Sequence, residues 1–438
     1  MESIWTRETS LPRFQSLRGD LRTDVLVIGG GLAGLLCARR LCELGVDCAL
    51  VEADTVCGGV TKNTTAKITS QHGLIYGRLL RKLGAERARM YLEANQAALG
   101  EYRRLCAGID CGFEERDAYV YSLRDRAKLE REVRALETLG IPAELVEEVP
   151  LPVPAVGAVR FPGQAQFDPL RFAAAVAGNL RIYEHTPVLE LAPRTAVTPE
   201  GRITAENMIV CTHFPILNKH GGYFLKMYQR RSYVLALENT PGVEGMYVDE
   251  AEDGLSFRSA GGLLLLGGGG HRTGGQGGGW RELKRYAARY YPDSRELARW
   301  AAQDCMTLDG VPYIGPYSRR TRGLYAATGF NKWGMTSSMA AAMILGDLVT
   351  GRENPWSPVF SPSRSMLHPQ LVVNAGTAAW HLLRPAERRC PHMGCALQWN
   401  AQERTWDCPC HGSRFTKEGR LIDNPATGNL KGCGPKEE

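Results

Sequence analysis

CPHMGCALQWNAQERTWDCPCHGS, residues Cys390–Ser413, decides what the carboxyl end of this chain can be. Four metal-ligating side chains fall into two short pairs, Cys390-x-His392 and Cys408-x-x-His411, with 15 residues between them. Each pair puts one thiol and one imidazole on a single tight loop, and each loop carries a glycine suited to a sharp turn. Two such loops face to face can hold two metal atoms. Two thiolates on one iron and two imidazoles on the other form a known ligand set of [2Fe–2S] centres. A tetrahedral Cys2His2 zinc site is the alternative that these residues leave open. Zinc fingers pair Cys with Cys and His with His, whereas each loop here mixes the two, so iron–sulfur is the expectation.

The stretch resembles the Rieske proteins of the cytochrome bc type. That resemblance implies Cys390, His392, Cys408 and His411 as cluster ligands. It also implies a disulfide between the two spare cysteines, Cys395 and Cys410, clamping the loops over the cluster. The sequence departs from the type in two ways. Only about 20 residues precede Cys390 after the preceding linker, with Gln370–Asn374 and Thr377–Leu383 expected as two strands of a shortened base. Phe415 stands where CHGS-x-Y versions have a tyrosine that donates a hydrogen bond to a ligand sulfur. Ser413 remains available to a bridging sulfide, but Phe415 cannot donate, so a lowered reduction potential is expected.

The rest of the chain is ordinary in composition. With 438 residues it has room for two or three domains. Its net charge of +6 is spread out, without the Lys/Arg run that would suggest nucleic acid. The start, MESIWTRETSLPRF, lacks the apolar core of a signal peptide. No apolar run approaches the ~18 residues of a membrane span, and a cytoplasmic location is expected. Eight cysteines are scattered through the first 305 residues, as small buried apolar side chains are, while five crowd into the last 49.

Near the amino terminus, Asp24–Gly29 (DVLVIG) reads as a buried parallel strand leading into Gly29, Gly31 and Gly34 in G-x-G-x-x-G spacing. A helix, LAGLLCARRLCELG, ends at Gly45, and a second strand, Cys48–Glu52, ends in an acid. This order fits a dinucleotide site, with pyrophosphate at the helix N-terminus and Glu52 on a ribose hydroxyl. The following loop contains Thr61, Thr64, Thr65, Ala66 and Lys67. It is similar to a loop that lies against FAD in the D-amino-acid oxidase superfamily. Residues 20–355 resemble that superfamily, and within it the glycine oxidase and γ-glutamylputrescine oxidase group.

The middle of the chain reads as helices near 84–106, 126–139 and Leu170–Leu180, then strands from Arg181 onward, including Met208–Thr212. Gln164, Gln166 and Asp168 are loop residues open to a substrate-facing or a solvated role. Arg230, Arg231, Tyr233 and Arg258 lie on strands of the expected substrate domain. A guanidinium fork suits a substrate carboxylate, which makes Arg230, Tyr233 and Arg258 candidate substrate residues. Gly267–Gly279, with His271 inside it, reads as a flexible loop.

DCMTLDGVPYIGP, Asp304–Pro316, resembles a superfamily segment that passes beside the flavin ring. Gly329, Lys332, Trp333, Gly334, Met335 and Thr336 then lead into a helix of small residues, expected near the flavin C2 oxygen, with Lys332 adding a charge there. Cys305 is a minor candidate for covalent flavin attachment, by analogy with sarcosine-oxidase relatives.

The expected fold is therefore an α/β, Rossmann-like FAD-binding domain with an inserted α+β substrate domain, followed by a small all-β Rieske domain. Residues 1–355 form the first unit, with FAD-binding parts near 20–80, 160–215 and 305–355. Residues 356–368 read as a linker and 369–438 as the shortened Rieske domain. The resemblance implies FAD-dependent oxidation of a C–N bond in an amine or amino acid, and the joining of a flavin domain to a one-electron centre suggests that electrons leave through the [2Fe–2S] cluster to an acceptor protein or quinone. No general base is implied. The alternatives are an oxidase that reduces dioxygen with a non-functional tail, or a non-catalytic electron-transfer or redox-sensing protein.

Overall fold

The structure is a computed structural model that describes residues 2–217 and 220–431; the last residues of the expected Rieske domain, 432–438, lie outside the described residues. The apolar DVLVIG run forms most of the strand Leu21–Ile28. It pairs in parallel with Gly201–Val210 on one side and Cys48–Val51 on the other. A continuous apolar run suits a strand covered on both faces. The helices Leu32–Glu43 and Gly334–Val349 pack against each other beside this sheet. Across the sheet the order is Tyr313–Pro316, Leu324–Thr328, Gly201–Val210, Leu21–Ile28, Cys48–Val51 and Ile182–Tyr183. The carboxyl ends of three parallel strands, at Ile28, Val210 and Thr328, open into the glycine turn, Cys211–Phe214 and Gly329–Gly334. Open α/β sheets bind ligands at that edge.

A nine-stranded sheet forms the second layer. Its long members are Met227–Glu238, Leu263–Arg272 and Arg295–Thr307 on one half, and Glu114–Ser122 with Gly157–Gln166 on the other. Pairing is antiparallel except where Met246–Asp249 runs parallel to Glu114–Ser122. One expectation is corrected here. Gly267–Arg272 is not a flexible loop but the end of the strand Leu263–Arg272, with Gly268 opposite Tyr233 and His271 opposite Arg231. The glycines answer a packing need, since a Cβ on Gly268 would lie 2.7 Å from Leu255 Cδ2.

The carboxyl-terminal segment is a four-stranded antiparallel sheet, Gln398–Asn400, Thr405–Asp407, Arg414–Thr416 and Leu421–Asp423. The two strands expected in Gln370–Asn374 and Thr377–Leu383 are instead one helix, Pro369–Leu383. His368 Nδ1 accepts from the Gln370 amide at 3.2 Å, and proline follows as the first helical residue, where its missing N–H costs nothing. The residues read as a linker are anchored to the flavoprotein. Val359 and Phe360 of the short helix Ser357–Phe360 are buried, and Arg364 pairs with Asp309 at 2.7 Å. Among the described residues no helix is long and apolar enough to cross a membrane.

Candidate functional site

The glycine turn is built for close approach. Gly29 has φ +110°, and a Cβ there would lie 2.7 Å from the Cys211 carbonyl oxygen. A Cβ on Gly34 would overlap the Gly29 carbonyl oxygen, so the turn and the helix Leu32–Glu43 close on each other only without side chains. Gly31 is open apart from Thr61 Oγ1 at 3.5 Å from the position of a Cβ. The hydroxyl of Thr61 accepts from the Leu32 amide at 3.1 Å. Glu52 accepts from the amides of Gly30 (2.6 Å) and Asp54 (2.9 Å). Burial raises its pKa against the pull of those two amides. A carboxylate, an open glycine and a helix N-terminus converge here, and this donor and acceptor set fits the adenosine and pyrophosphate of FAD.

The second loop is fastened from several sides. Trp5 Nε1 donates to the Thr64 carbonyl at 2.8 Å, Thr64 Oγ1 accepts from the Ala66 amide at 2.9 Å, and Lys67 Nζ donates to Thr65 Oγ1 at 3.2 Å. Burial and the nearby Arg258 charge hold the Lys67 amine down at about 7. Arg258 itself donates to the carbonyls of Thr65 and Ala66, the latter at 2.8 Å. Its guanidinium therefore braces the loop and does not present a fork to a substrate.

The other substrate candidates are also engaged. Arg230 pairs with Asp253 and, at 3.1 Å, with Glu252. The Tyr233 hydroxyl donates to Glu403 at 3.0 Å, and its ring stacks on His271. Gln164 accepts from the Ser70 amide, Gln166 donates to Glu114, and Asp168 caps the helix Pro169–Ala177.

On the expected flavin side, Gly329 precedes a turn in which Asn331 and Lys332 adopt positive φ. Lys332 does not supply a charge inward: it is exposed and its Nζ donates to the Glu252 carbonyl at 3.0 Å. Trp333, Gly334, Met335 and Thr336 open the helix Gly334–Val349. Trp333 stacks on His72, with ring centroids 5.1 Å apart, and Thr336 Oγ1 donates to the Thr69 carbonyl. Cys305 is buried, and burial lifts its thiol to about 12. Its Sγ lies 3.8 Å from Met227 Sδ. A thiol so protonated is a poor nucleophile.

The two Cys/His loops lie against each other. Cys390, Cys395, Cys408 and Cys410 are all buried, and the sulfurs of Cys395, Cys408 and Cys410 lie within 4.8 Å of one another. The expected Cys395–Cys410 disulfide is not formed. Both remain free thiols, as do Cys390 and Cys408. The rings of His392 and His411 stand edge to face, 4.9 Å apart. His411 Nε2 lies 3.0 Å from the Phe224 carbonyl, so it carries the proton and Nδ1 keeps its lone pair. That Nδ1 is buried without a hydrogen-bond partner among the described residues. A backbone acceptor that fixes the tautomer of a ligating imidazole is the usual outer support of a metal site. Burial holds both imidazoles near 4, hence neutral at pH 7. Two thiols and two such imidazoles on facing loops fit a [2Fe–2S] cluster.

Ser413 Oγ accepts from the Ala426 amide at 2.9 Å and bonds the Cys390 thiol. Phe415 is fully buried among the cysteines. Phe415→Tyr is expected to raise the cluster potential. A hydrogen bond about 1 kcal/mol stronger in the reduced state shifts a one-electron couple by about 40 mV. An EPR-monitored redox titration checks this, and an unchanged or lower potential contradicts it.

Sequence reading missed how the second loop is seated. Gln229 Nε2 donates to the His411 carbonyl at 2.9 Å, while Gln229 Oε1 accepts from His213 Nε2 at 3.0 Å. Gln303 Nε2 donates to the Gly412 carbonyl at 2.9 Å. Gly412, with φ +87°, touches the sheet so closely that a Cβ would lie 2.7 Å from Gln229 Cβ. Asn424 donates to the carbonyls of Thr212 and Phe214, at the end of the strand Gly201–Val210. Glu403 is gripped between Arg231 of the flavoprotein and Arg414 of the small domain. These contacts use main-chain carbonyls or partners far away in sequence, so no local motif announces them.

A family model for FAD dependent oxidoreductases matches residues 24–348, and one for the Rieske [2Fe-2S] domain matches 364–433. The chain belongs to the FAD dependent oxidoreductase family and carries a carboxyl-terminal Rieske domain; FAD and a [2Fe–2S] cluster are its cofactors. It is 35% identical to the Bacillus subtilis (strain 168) protein YhfW, described as a Rieske 2Fe-2S iron-sulfur protein, over 98% of this chain and 97% of that one. Glycine oxidase from Geobacillus kaustophilus shares the fold with a TM-score of 0.65 at 22% identity, covering 79% of this chain and 99% of that one. L-Proline dehydrogenase from P. horikoshii does so with a TM-score of 0.66 at 16% identity, covering 80% and 98%.

Proposed function

We propose that this oxidoreductase oxidises a C–N bond of a small amine or amino acid and that the electrons leave through the Rieske cluster to an external one-electron acceptor, a protein or a quinone. The observation that carries this reading is the seating of the second cluster loop on the flavoprotein: the carbonyls of His411 and Gly412 are held by Gln229 and Gln303. These contacts fix the cluster loop on two strands of the flavoprotein, Met227–Glu238 and Arg295–Thr307. Glycine oxidase and L-proline dehydrogenase, which share the fold, act on amino acids by name, which supports the substrate class.

When bound, FAD supplies two-electron oxidation and the cluster supplies single-electron exit. The chain's own residues do the rest. Gly29, Gly31, Gly34 and Glu52 receive the adenosine half, Thr61–Lys67 lie against the ribose and pyrophosphate, and Gly329–Thr336 lie on the flavin side. Cys390, His392, Cys408 and His411 ligate iron. Residues 1–355 and 369–438 act as two units joined by the anchored segment 356–368, in a cytoplasmic protein.

Glu52→Ala removes a charged hydrogen-bond acceptor worth about 1.5–3 kcal/mol, and is expected to weaken FAD binding roughly tenfold to a hundredfold by flavin fluorescence titration. The function is tested by mixing the oxygen-free protein with a panel of amines and amino acids. Flavin bleaching followed by the EPR signal of a reduced cluster supports the reading. Bleaching with the cluster left oxidised until dioxygen enters supports the oxidase alternative.

A further inference from the structure

Seven of the ten exposed large hydrophobic side chains among the described residues fall between 367 and 393. They are Leu367 (92% exposed), Val372, Val373, Trp380 (66%), Leu382, Leu383 (83%) and Met393. Most sit on the helix Pro369–Leu383; Met393 follows His392 on the first cluster loop. The helix is held firmly by its other side. Asn374 Nδ2 donates to the Leu225 carbonyl at 3.2 Å, and the Ala396 amide donates to the His381 carbonyl at 2.8 Å. The apolar face is therefore presented by a fixed element, and a concentrated apolar patch of this kind marks an interaction surface.

Charge indicates its occupant. Both ends of the helix are cationic. Lys82 lies 3.0 Å from His368 at the start, and Arg384, Arg388 and Arg389 follow the end. Glu387 is the one acid in residues 367–393. Arg389 spends its guanidinium on the carbonyls of Leu382, Arg384 and Gly394, which leaves its charge uncompensated by any carboxylate among the described residues. A second copy docked by a two-fold axis would bring cationic helix ends against cationic helix ends, whichever way the two helices ran. Residues 432–438, GCGPKEE, hold no large apolar side chain. An apolar helix face with tryptophan, leucine and flanking arginines matches an anionic lipid surface. At 15 residues the helix is too short to cross the bilayer and would lie along it.

We propose that the helix Pro369–Leu383 and Met393 dock this protein on an anionic bilayer, with the first cluster loop at the lipid surface. This deepens the proposed function by placing the electron acceptor at or in the membrane. The binding itself involves no turnover, so its failure and that of the electron relay are separately visible.

The test is flotation of the purified holoprotein with vesicles of phosphatidylcholine alone or with phosphatidylglycerol added, at low and high salt. Binding to the anionic vesicles at least about tenfold above the neutral ones, weakened by salt, is expected. Trp380→Glu with Leu383→Glu should abolish it while flavin and iron content stay unchanged, because both side chains are exposed. Trp380→Phe should still float but lose the blue shift of tryptophan fluorescence on vesicle addition. Failure of the wild-type protein to bind anionic vesicles at low salt overturns the proposal. So does a dimer that the double glutamate variant dissociates, in a protein that ignores vesicles.

Discussion

A Cys408→Ser protein is expected to retain FAD and to contain almost no iron. The expectation follows from where the thiol sits. Cys408 is 1% exposed, packs in one buried cluster with Cys390 of the other loop, and starts the loop whose carbonyls are held by Gln229 and Gln303. Serine offers no soft thiolate, and an iron–sulfur cluster that loses one of its cysteine ligands is not retained. Cys390→Ser should behave alike. Cys395→Ser and Cys410→Ser are the informative controls, because their sulfurs lie as close to Cys408 as any ligand would. If Cys390 and Cys408 are the thiolate ligands, these two variants keep iron. Parallel iron and flavin assays on the four proteins read out the ligand set. Iron lost from Cys395→Ser but kept by Cys390→Ser would contradict it.

Glu403→Ala is expected to destabilise the junction between the two parts by about 3–5 kcal/mol, since it leaves the buried Arg231 guanidinium without its counter-charge, whereas Arg414 keeps Asp407 and Asp423. Arg231 and Arg414 side chains are 3% and 6% exposed, and both close on Glu403, at 2.9 Å from Arg231 Nε and 2.7 Å from Arg414. Burial alone would raise the Glu403 pKa, but the two guanidinium charges outweigh it and hold the carboxyl at about 2. The sign of the pH dependence follows. A carboxylate whose folded pKa is depressed contributes stability that is fully present above its unfolded value of about 4.3 and is lost as pH falls towards about 2. A shift of this size corresponds to stability on the order of 3 kcal/mol at neutral pH. Denaturant unfolding between pH 5 and about 2.5 should show this slope in the native protein and lack it in Glu403→Gln. Equal slopes in both would contradict the role given to this ion pair.

The parts of the molecule that the sequence announced are those where chemistry demands fixed residues at fixed spacing. Three glycines that allow a turn and a helix to touch, an acid at the end of the next strand, and two Cys/His pairs on glycine-bearing loops could be read without coordinates. Other readings failed for local reasons. Gln370–Asn374 and Thr377–Leu383 are expected as strands of a Rieske base, but His368 and Pro369 start a helix whose fate is set by Leu225 and Ala396 elsewhere in the fold. Gly267–Gly270 suggested a loop, although they lie in a strand where Gly268 makes room for Leu255 and Leu283. Arg230, Tyr233 and Arg258 had the right chemistry for a substrate carboxylate. Their partners, from Asp253 to Glu403 and the Thr65 carbonyl, lie 23 to 193 residues away, and no window of sequence contains both sides of such a pair.

The measurement that bears most directly on a flavin and a Rieske cluster acting in one chain is an analysis of iron, sulfide, zinc and flavin in protein purified without oxygen, with EPR after dithionite. About two irons and two sulfides per flavin, with a low-average-g spectrum from two-histidine ligation, is the predicted result. Flavin with zinc or with no metal would contradict it and leave the flavoprotein as a simple oxidase.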